Sequence, residues 1–287
     1  MSGMHRNRIG TRRIVQLMAA ALFNGYAIGF QKGSIYTGKS KAVCVPVLNC
    51  YSCPGALGAC PVGSLQAALG GIKSHFPFYV LGMLMLFGIL LGRTVCGFLC
   101  PFGLVQDLLH KIPVPQISMP KKIDRAARYI KYIILLVMVV LLPVFAVTET
   151  GIKPPYFCKY ICPAGTLAGG IPHLLKNPVL RQAAGILFDW KLAVLLAILI
   201  ASAFLYRPFC RYLCPLGAFY SLFNRFSFYQ MRLDKEKCIG CRKCETSCPM
   251  AVEVTKGINS RECIRCGKCK SVCPADAISS GFCTERK

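Results

Sequence analysis

The sequence predicts an α-helical membrane protein of four transmembrane helices, built as two parallel repeats, with a small α+β domain at its C-terminus. Three observations carry that expectation. Apolar residues make up 54% of the 287-residue chain and mean hydropathy is +0.50, above the usual apolar share of a soluble protein. Nineteen cysteines fall in regular runs rather than at scattered positions. One of those runs recurs in both halves of the apolar region.

Four apolar stretches read as spans: Ile14–Phe30, Phe76–Leu91, Tyr129–Val147 and Ile186–Tyr206. The first follows Arg6, Arg8, Arg12 and Arg13. It has no small-x-small cleavage site behind it and further spans after it, so it reads as a retained helix rather than a signal peptide. The second is shorter than the roughly 20 residues that cross a bilayer, which suits a helix whose end abuts a cofactor instead of lipid. The fourth reaches full length only with Asp189, Trp190 and Lys191 at its start, as at an interface. The densest basic stretches are the N-terminus and the connector from Lys111 to Lys131. Placing both inside puts both termini in the cytoplasm of a multi-pass inner-membrane protein, with loops Gln31–His75 and Thr148–Gly185 outside.

After the last span, Cys238, Cys241, Cys244 and Cys248-Pro249 are followed by Cys263, Cys266, Cys269 and Cys273-Pro274. The spacing C-x-x-C-x-x-C-x-x-x-C-P, written twice, is that of a bacterial two-cluster ferredoxin, in which the fourth cysteine of each run ligates the other cluster. One [4Fe–4S] cluster is therefore expected on Cys238, Cys241, Cys244 and Cys273. A second is expected on Cys263, Cys266, Cys269 and Cys248. Zinc needs four ligands per ion and has no use for a crossed arrangement.

Within the membrane part, Arg93-Thr-Val-Cys96-Gly-Phe-Leu-Cys100-Pro101-Phe-Gly103 recurs as Arg207-Pro-Phe-Cys210-Arg-Tyr-Leu-Cys214-Pro215-Leu-Gly217. Cysteines four apart share a helical face, so two such pairs facing each other complete a cubane's ligand set: Cys96, Cys100, Cys210 and Cys214. The proline opens a new helix whose free amides can donate toward sulfur. Arg93, Arg207 and Arg211 stand ready to offset cluster charge or, alternatively, to anchor at lipid headgroups. The outer loops echo the motif as Cys60-Pro61-Val-Gly63 and Cys162-Pro163-Ala-Gly165, the latter preceded by Cys158. Here Cys158 and Cys162 are expected to join two of Cys50, Cys53 and Cys60 in an outer cluster. Disulfides are the competing outcome on an oxidising face. Cys44 and Cys283 are expected to be bystanders.

A net charge of +24 would suit nucleic acid, but cytoplasmic loops and cluster neutralisation account for it. All four histidines fall outside span interiors, which argues against haem of the cytochrome b kind. His75 and His173 fall on the outer face, where they read as interfacial residues, with the lining of a quinone pocket as the alternative. No nucleotide-binding or hydrolase motif occurs.

The paired CxxxCP motifs, Cys96–Pro101 and Cys210–Pro215, with the ferredoxin module after them, resemble the polyferredoxin membrane proteins of the NapH/NosR/MauN type. The resemblance implies electron transfer at the cytoplasmic membrane, often from a quinol pool toward a periplasmic redox system. The outer motifs depart from the NapH pattern and favour a relay crossing the bilayer, of the kind some anaerobes pair with extracytoplasmic flavin-bearing proteins. The expected organisation is residues 1–128 and 129–229 as two membrane repeats and 230–287 as the ferredoxin domain. The expected function is transmembrane electron transfer from a cytoplasmic donor, a ferredoxin or flavoenzyme, to an extracytoplasmic acceptor. A quinol dehydrogenase subunit and a redox-sensing or maturation factor are the alternatives.

Overall fold

The structure is a computed structural model; it describes residues 3–71, 76–117, 119–146 and 153–282, with side chains in the first helix from residue 11 onward. His75 and Cys283 lie outside the described residues. Helices α1 (Gly3–Phe23), α2 (Ala27–Lys32), α3 (Pro61–Leu69), α4 (Phe78–Leu91), α5 (Thr94–Phe98) and α6 (Pro101–Leu109) make up the first half. The second half comprises α7 (Lys121–Phe145), α8 (Tyr156–Tyr160), α9 (residues 163–176), α10 (Pro178–Gln182), α11 (Ile186–Phe204) and α12 (Pro215–Phe223).

Among the described residues, two helices are long and apolar enough to cross a membrane: α7 and α11, each of mean hydropathy 2.1, with only 22% and 17% of that stretch buried. Large apolar side chains such as Ile133, Leu136, Leu196 and Ile200 point outward from them, unlike the core helix of a soluble protein. α7 contains a π-helical stretch, Leu135–Leu141, just ahead of Pro143. Proline lacks the amide that would continue the ladder, and the wider turn absorbs its ring.

The other two expected spans differ from the sequence reading. α4 has 14 residues, about 21 Å of helix at 1.5 Å per residue against a hydrocarbon core of about 30 Å. Ile14–Phe30 is not one helix: it breaks between Phe23 and Ala27. The outer loop supplies the reason. Leu57 N donates to Phe23 O at 3.0 Å and Tyr26 N to Gly55 O at 3.1 Å, while Asn24 Nδ2 turns back to Ala20 O. Loop backbone takes over the groups that a continuous helix would have used.

The halves exchange elements. α6 packs on α1 of its own half and on α11 of the other, and α12 packs on α7 and α4. One buried core results, holding Cys60, Cys96, Cys100, Cys162, Cys210 and Cys214 among Phe102, Phe157, Phe209 and Tyr220.

Strands β1 (Tyr229–Leu233) and β2 (Ile278–Phe282) pair antiparallel, Met231 opposite Ser280, and close a small domain around Met231, Met250, Ile264 and Ile278. Its two halves repeat an unusual backbone. Gly240 and Arg265, Arg242 and Gly267, and Ala251 and Asp276 all have positive φ at matching places in the two runs. A non-glycine residue there costs about 1–2 kcal/mol. At Arg265 the guanidinium offsets it by donating to Leu91 O (2.8 Å), Asn224 O (2.6 Å) and Ser227 Oγ (2.7 Å).

That anchor is one of several fixing the small domain to the membrane part. Asn224 Nδ2 donates to Ser260 O and Cys263 O, and Arg128 to Met250 O. Ile264 packs directly on the first inner motif. A Cβ at Gly97 would stand 2.5 Å from Ile264 O, so only glycine allows this approach.

Candidate metal centres

Two cavities in the small domain are lined by cysteine quartets. One holds Cys238, Cys241, Cys244 and Cys273; the other holds Cys248, Cys263, Cys266 and Cys269. Each quartet takes three thiols from one run and the fourth from the other, as the crossed spacing requires. Burial pushes the Cys263 and Cys269 thiols up, to about 11 and about 12. Coordination to iron would then hold them as thiolates at neutral pH.

Four helices in the membrane part begin alike. Cys60, Cys100, Cys162 and Cys214 sit at N-caps in extended conformation with proline at the first helical position. The amides of Gly165 and Gly217 donate to Sγ of Cys162 (3.4 Å) and Cys214 (3.3 Å). This explains C-P-x-G as a physical unit. Sulfur replaces the usual capping oxygen, proline lacks the amide that would have no partner at that position, and the glycine amide faces sulfur. Each helix also presents its positive end to the same place.

The inner quartet comes together across the halves. Cys96, Cys100, Cys210 and Cys214 are all buried and lie within electrostatic range of one another. In the outer loops, the candidate cysteines stand in different surroundings. Cys162 lies within range of Cys158, Cys50 and Cys60, and a Cβ at Gly165 would stand 3.6 Å from Cys50 Sγ and 3.7 Å from Cys162 Sγ. Cys53 instead turns its thiol to Asn24 Oδ1 at 3.6 Å. Cys44 pairs its backbone with Ala59 in the same buried loop. One buried side chain neighbours both groups of cysteines. Tyr220, fully buried, lies within electrostatic range of Cys60 in one and of Cys96, Cys100 and Cys214 in the other. Its hydroxyl donates to Pro46 O at 2.9 Å.

The arginines of the inner motifs are not at lipid headgroups. Arg93 and Arg207 are fully buried and cross over: Arg93 Nη2 donates to Cys210 O (2.9 Å), and Arg207 Nη1 to Cys96 O (2.7 Å). Three carboxylates each sit between two cations. Asp107 meets Arg12 and Arg207 at 2.5 and 2.6 Å; Glu262 meets Arg93 and Lys131 at 2.6 and 2.5 Å; Asp124 meets Arg128 and Arg211. Burial opposes the charge on Glu262, but Arg93 and Lys131 prevail and hold its carboxyl down at about 2. Asp107 and Asp124 each face two arginines, which leaves net positive charge beside the inner quartet and suits an anionic thiolate-bound group.

Sequence reasoning missed Gln66 and Gln106, both fully buried. Gln66 Nε2 reaches Cys158 Sγ at 3.5 Å and Gln106 Nε2 reaches Cys210 Sγ at 3.1 Å. The signal was present as C-P-x-G-x-x-Q, which begins at both Cys60 and Cys100. His173 hydrogen-bonds Ser52 O at 2.8 Å, a loop-fixing contact. Among the described residues no three His, Cys, Asp or Glu side chains close around one point as a single ion would need. Soft, all-thiol quartets with amide donors at the sulfurs fit iron–sulfur clusters.

These sites define a membrane-associated iron–sulfur protein, and comparison with known proteins agrees. The family described as 4Fe-4S binding domain matches three times, over residues 75–120, 133–178 and 190–235, and a 4Fe-4S dicluster domain matches 230–274. The chain is 31% identical to Uncharacterized protein MJ0750 of Methanocaldococcus jannaschii, over 69% of this chain and 76% of that one. It is 31% identical to Methylamine utilization ferredoxin-type protein MauN of Paracoccus denitrificans (64% and 59%) and 28% to Putative electron transport protein YccM of Escherichia coli (60% and 46%). It thus spans only about half the length of the last two. No solved structure gives a significant match. The chain belongs to the NapH/NosR/MauN-type polyferredoxins and carries [4Fe–4S] clusters. The repeated unit matched is one apolar helix with one cysteine motif, half of the two-span repeat expected from the sequence.

Proposed function

We propose that this protein is a transmembrane electron conduit in which four cysteine quartets hold one [4Fe–4S] cluster each. Two are in the small domain, on Cys238/Cys241/Cys244/Cys273 and Cys248/Cys263/Cys266/Cys269. The inner one is on Cys96/Cys100/Cys210/Cys214 and the outer one on Cys50/Cys60/Cys158/Cys162. The clusters supply one-electron carriers along a path that a hydrocarbon layer of about 30 Å would otherwise block. The supporting observation is that each membrane quartet draws two thiols from either half, and both share one buried core. Ile264, between two ligands of the nearer ferredoxin quartet, touches Gly97, between the ligands of the inner one.

In this reading α1, α4, α7 and α11 are the four spans, both termini are cytoplasmic, and residues 1–128, 129–229 and 230–287 are the working units. The short α4 supports it, because a thin span draws the outer motif toward the inner one. A cytoplasmic ferredoxin or flavoenzyme would load the small domain, and an extracytoplasmic redox protein would unload the outer quartet. The assay is sealed vesicles with an enclosed acceptor and an external reductant. Reduction of the enclosed acceptor is expected for cluster-loaded protein, and none for Cys158→Ser or Cys162→Ser, whose ferredoxin clusters stay reducible from outside. Fully loaded protein that passes no electrons inward would defeat the proposal.

A further inference from the structure

Gln66 and Gln106 occupy the same place in two different sites. Each stands six residues after an N-cap cysteine, on α3 and α6, and is fully buried. An unsatisfied amide in such a place costs about 1–3 kcal/mol, and both are satisfied in the same three-way pattern. Oε1 accepts a backbone N–H from the other half: Phe157 N to Gln66 at 3.0 Å, and Phe209 N to Gln106 at 3.2 Å. Nε2 donates to the carbonyl one turn back, Val62 O at 3.1 Å and Phe102 O at 3.5 Å. Its second proton faces sulfur, on Cys158 and Cys210 respectively.

This geometry fixes the amide's orientation. Amide oxygen and nitrogen are commonly interchangeable, but a backbone N–H must meet an acceptor. Oε1 is therefore committed to Phe157 or Phe209, and the N–H groups are committed to the cysteine one residue on. The carboxamide of one half thus reads the backbone of the other and delivers a proton donor to its sulfur. The second half has no counterpart, since Ala168 and Tyr220 stand six residues after Cys162 and Cys214. Each membrane quartet accordingly has one such amide.

We propose that Gln66 and Gln106 are positioning residues, each locking the first thiolate of the facing half and setting the reduction potential of the outer and inner cluster, respectively. The inference rests on the cluster assignment proposed above. A hydrogen bond to a ligand sulfur stabilises the more negative, reduced state and raises the potential. The couple moves one electron and neither forms nor breaks a bond.

The test is a potentiometric EPR titration of the full chain, with iron and acid-labile sulfide counted. In wild type, about sixteen irons per chain are expected from four cubanes; a count of about eight overturns the cluster assignment itself, separately from this inference. With sixteen present, Gln106→Leu is expected to lower the midpoint of one cluster while the other three stay put, and Gln66→Leu to lower a different one. The expected size is a ten-fold fall in the reduced-to-oxidised ratio at fixed poise, about 59 mV for a one-electron couple. Should a leucine variant shed its cluster, Gln→Glu keeps the shape and turns an oxygen toward sulfur; a lowered midpoint there supports the proposal, as does selective loss of the same single cluster from both variants. Four unchanged midpoints in folded, fully loaded variants that merely melt earlier overturn it, leaving the glutamines as packing contacts.

Discussion

The inner and outer quartets are built on one plan and set in different electrostatic surroundings. In the proposed assignment both draw on each half for two thiols; both open their helices with Cys-Pro and carry one buried glutamine aimed at a facing sulfur. Around the inner quartet, three carboxylates are each shared by two cations, and Arg93 and Arg207 reach the backbone of the opposite motif. Among the described residues no ion pair adjoins the outer quartet. Lys41 there donates to Ala56 O at 2.8 Å, and Lys191 acts on Cys50 and Cys158 from electrostatic range. The repeated motif supplies ligation. The ion pairs add what differs: they staple the first helix, the spans and the small domain to the inner site alone.

The largest expected effect breaks the shared plan. Cys210→Ser or Cys50→Ser should each remove one cluster, about four of sixteen irons, while the small domain keeps both of its own. Iron counting with EPR of the remaining signals checks this.

Next comes the feature found only at the inner site. Asp107→Asn leaves the buried Arg207 and the half-buried Arg12 without their carboxylate and should destabilise the fold by about 3–5 kcal/mol, read as a lowered melting temperature. Lys191→Met beside the outer quartet should cost far less than Asp107→Asn in the same measurement. Equal losses would show that the surroundings of the two sites do not differ in the way described.

A smaller effect tests the seam between the inner site and the small domain. Gly97→Ala puts a methyl against Ile264 O. It should cost about 1–3 kcal/mol as overpacking and speed hydrogen exchange in residues 260–267 without loss of iron.

The smallest sharpens the outer ligand set. Cys53→Ser should keep all four clusters and change stability by about 1 kcal/mol or less, because the hydroxyl can still donate to Asn24. Loss of one cluster in that variant would return Cys53 to the ligands and displace Cys50 or Cys60.

Spacing along the chain was enough to expect the two cysteine groups that line the small domain's cavities, since C-x-x-C-x-x-C-x-x-x-C-P constrains its own loop and the proline-marked cysteine points away from it. It also showed that Cys96/Cys100 and Cys210/Cys214 are equivalent, and that α7 and α11 are long apolar helices, because local pattern and composition suffice for each. Which of Cys50, Cys53 and Cys60 turns toward Cys158 was decided by the path of a loop, which the break at Asn24 and Gly25 sets. The same break divided a stretch that looked like one span, because hydropathy registers apolar residues and not which backbone groups another loop has claimed. Folding alone brought Asp107 to Arg207, Glu262 to Arg93 and Gln106 to Cys210. Each pair is separated by about a hundred residues or more, and a lone buried Gln or Asp carries no mark of its partner until the two halves pack together.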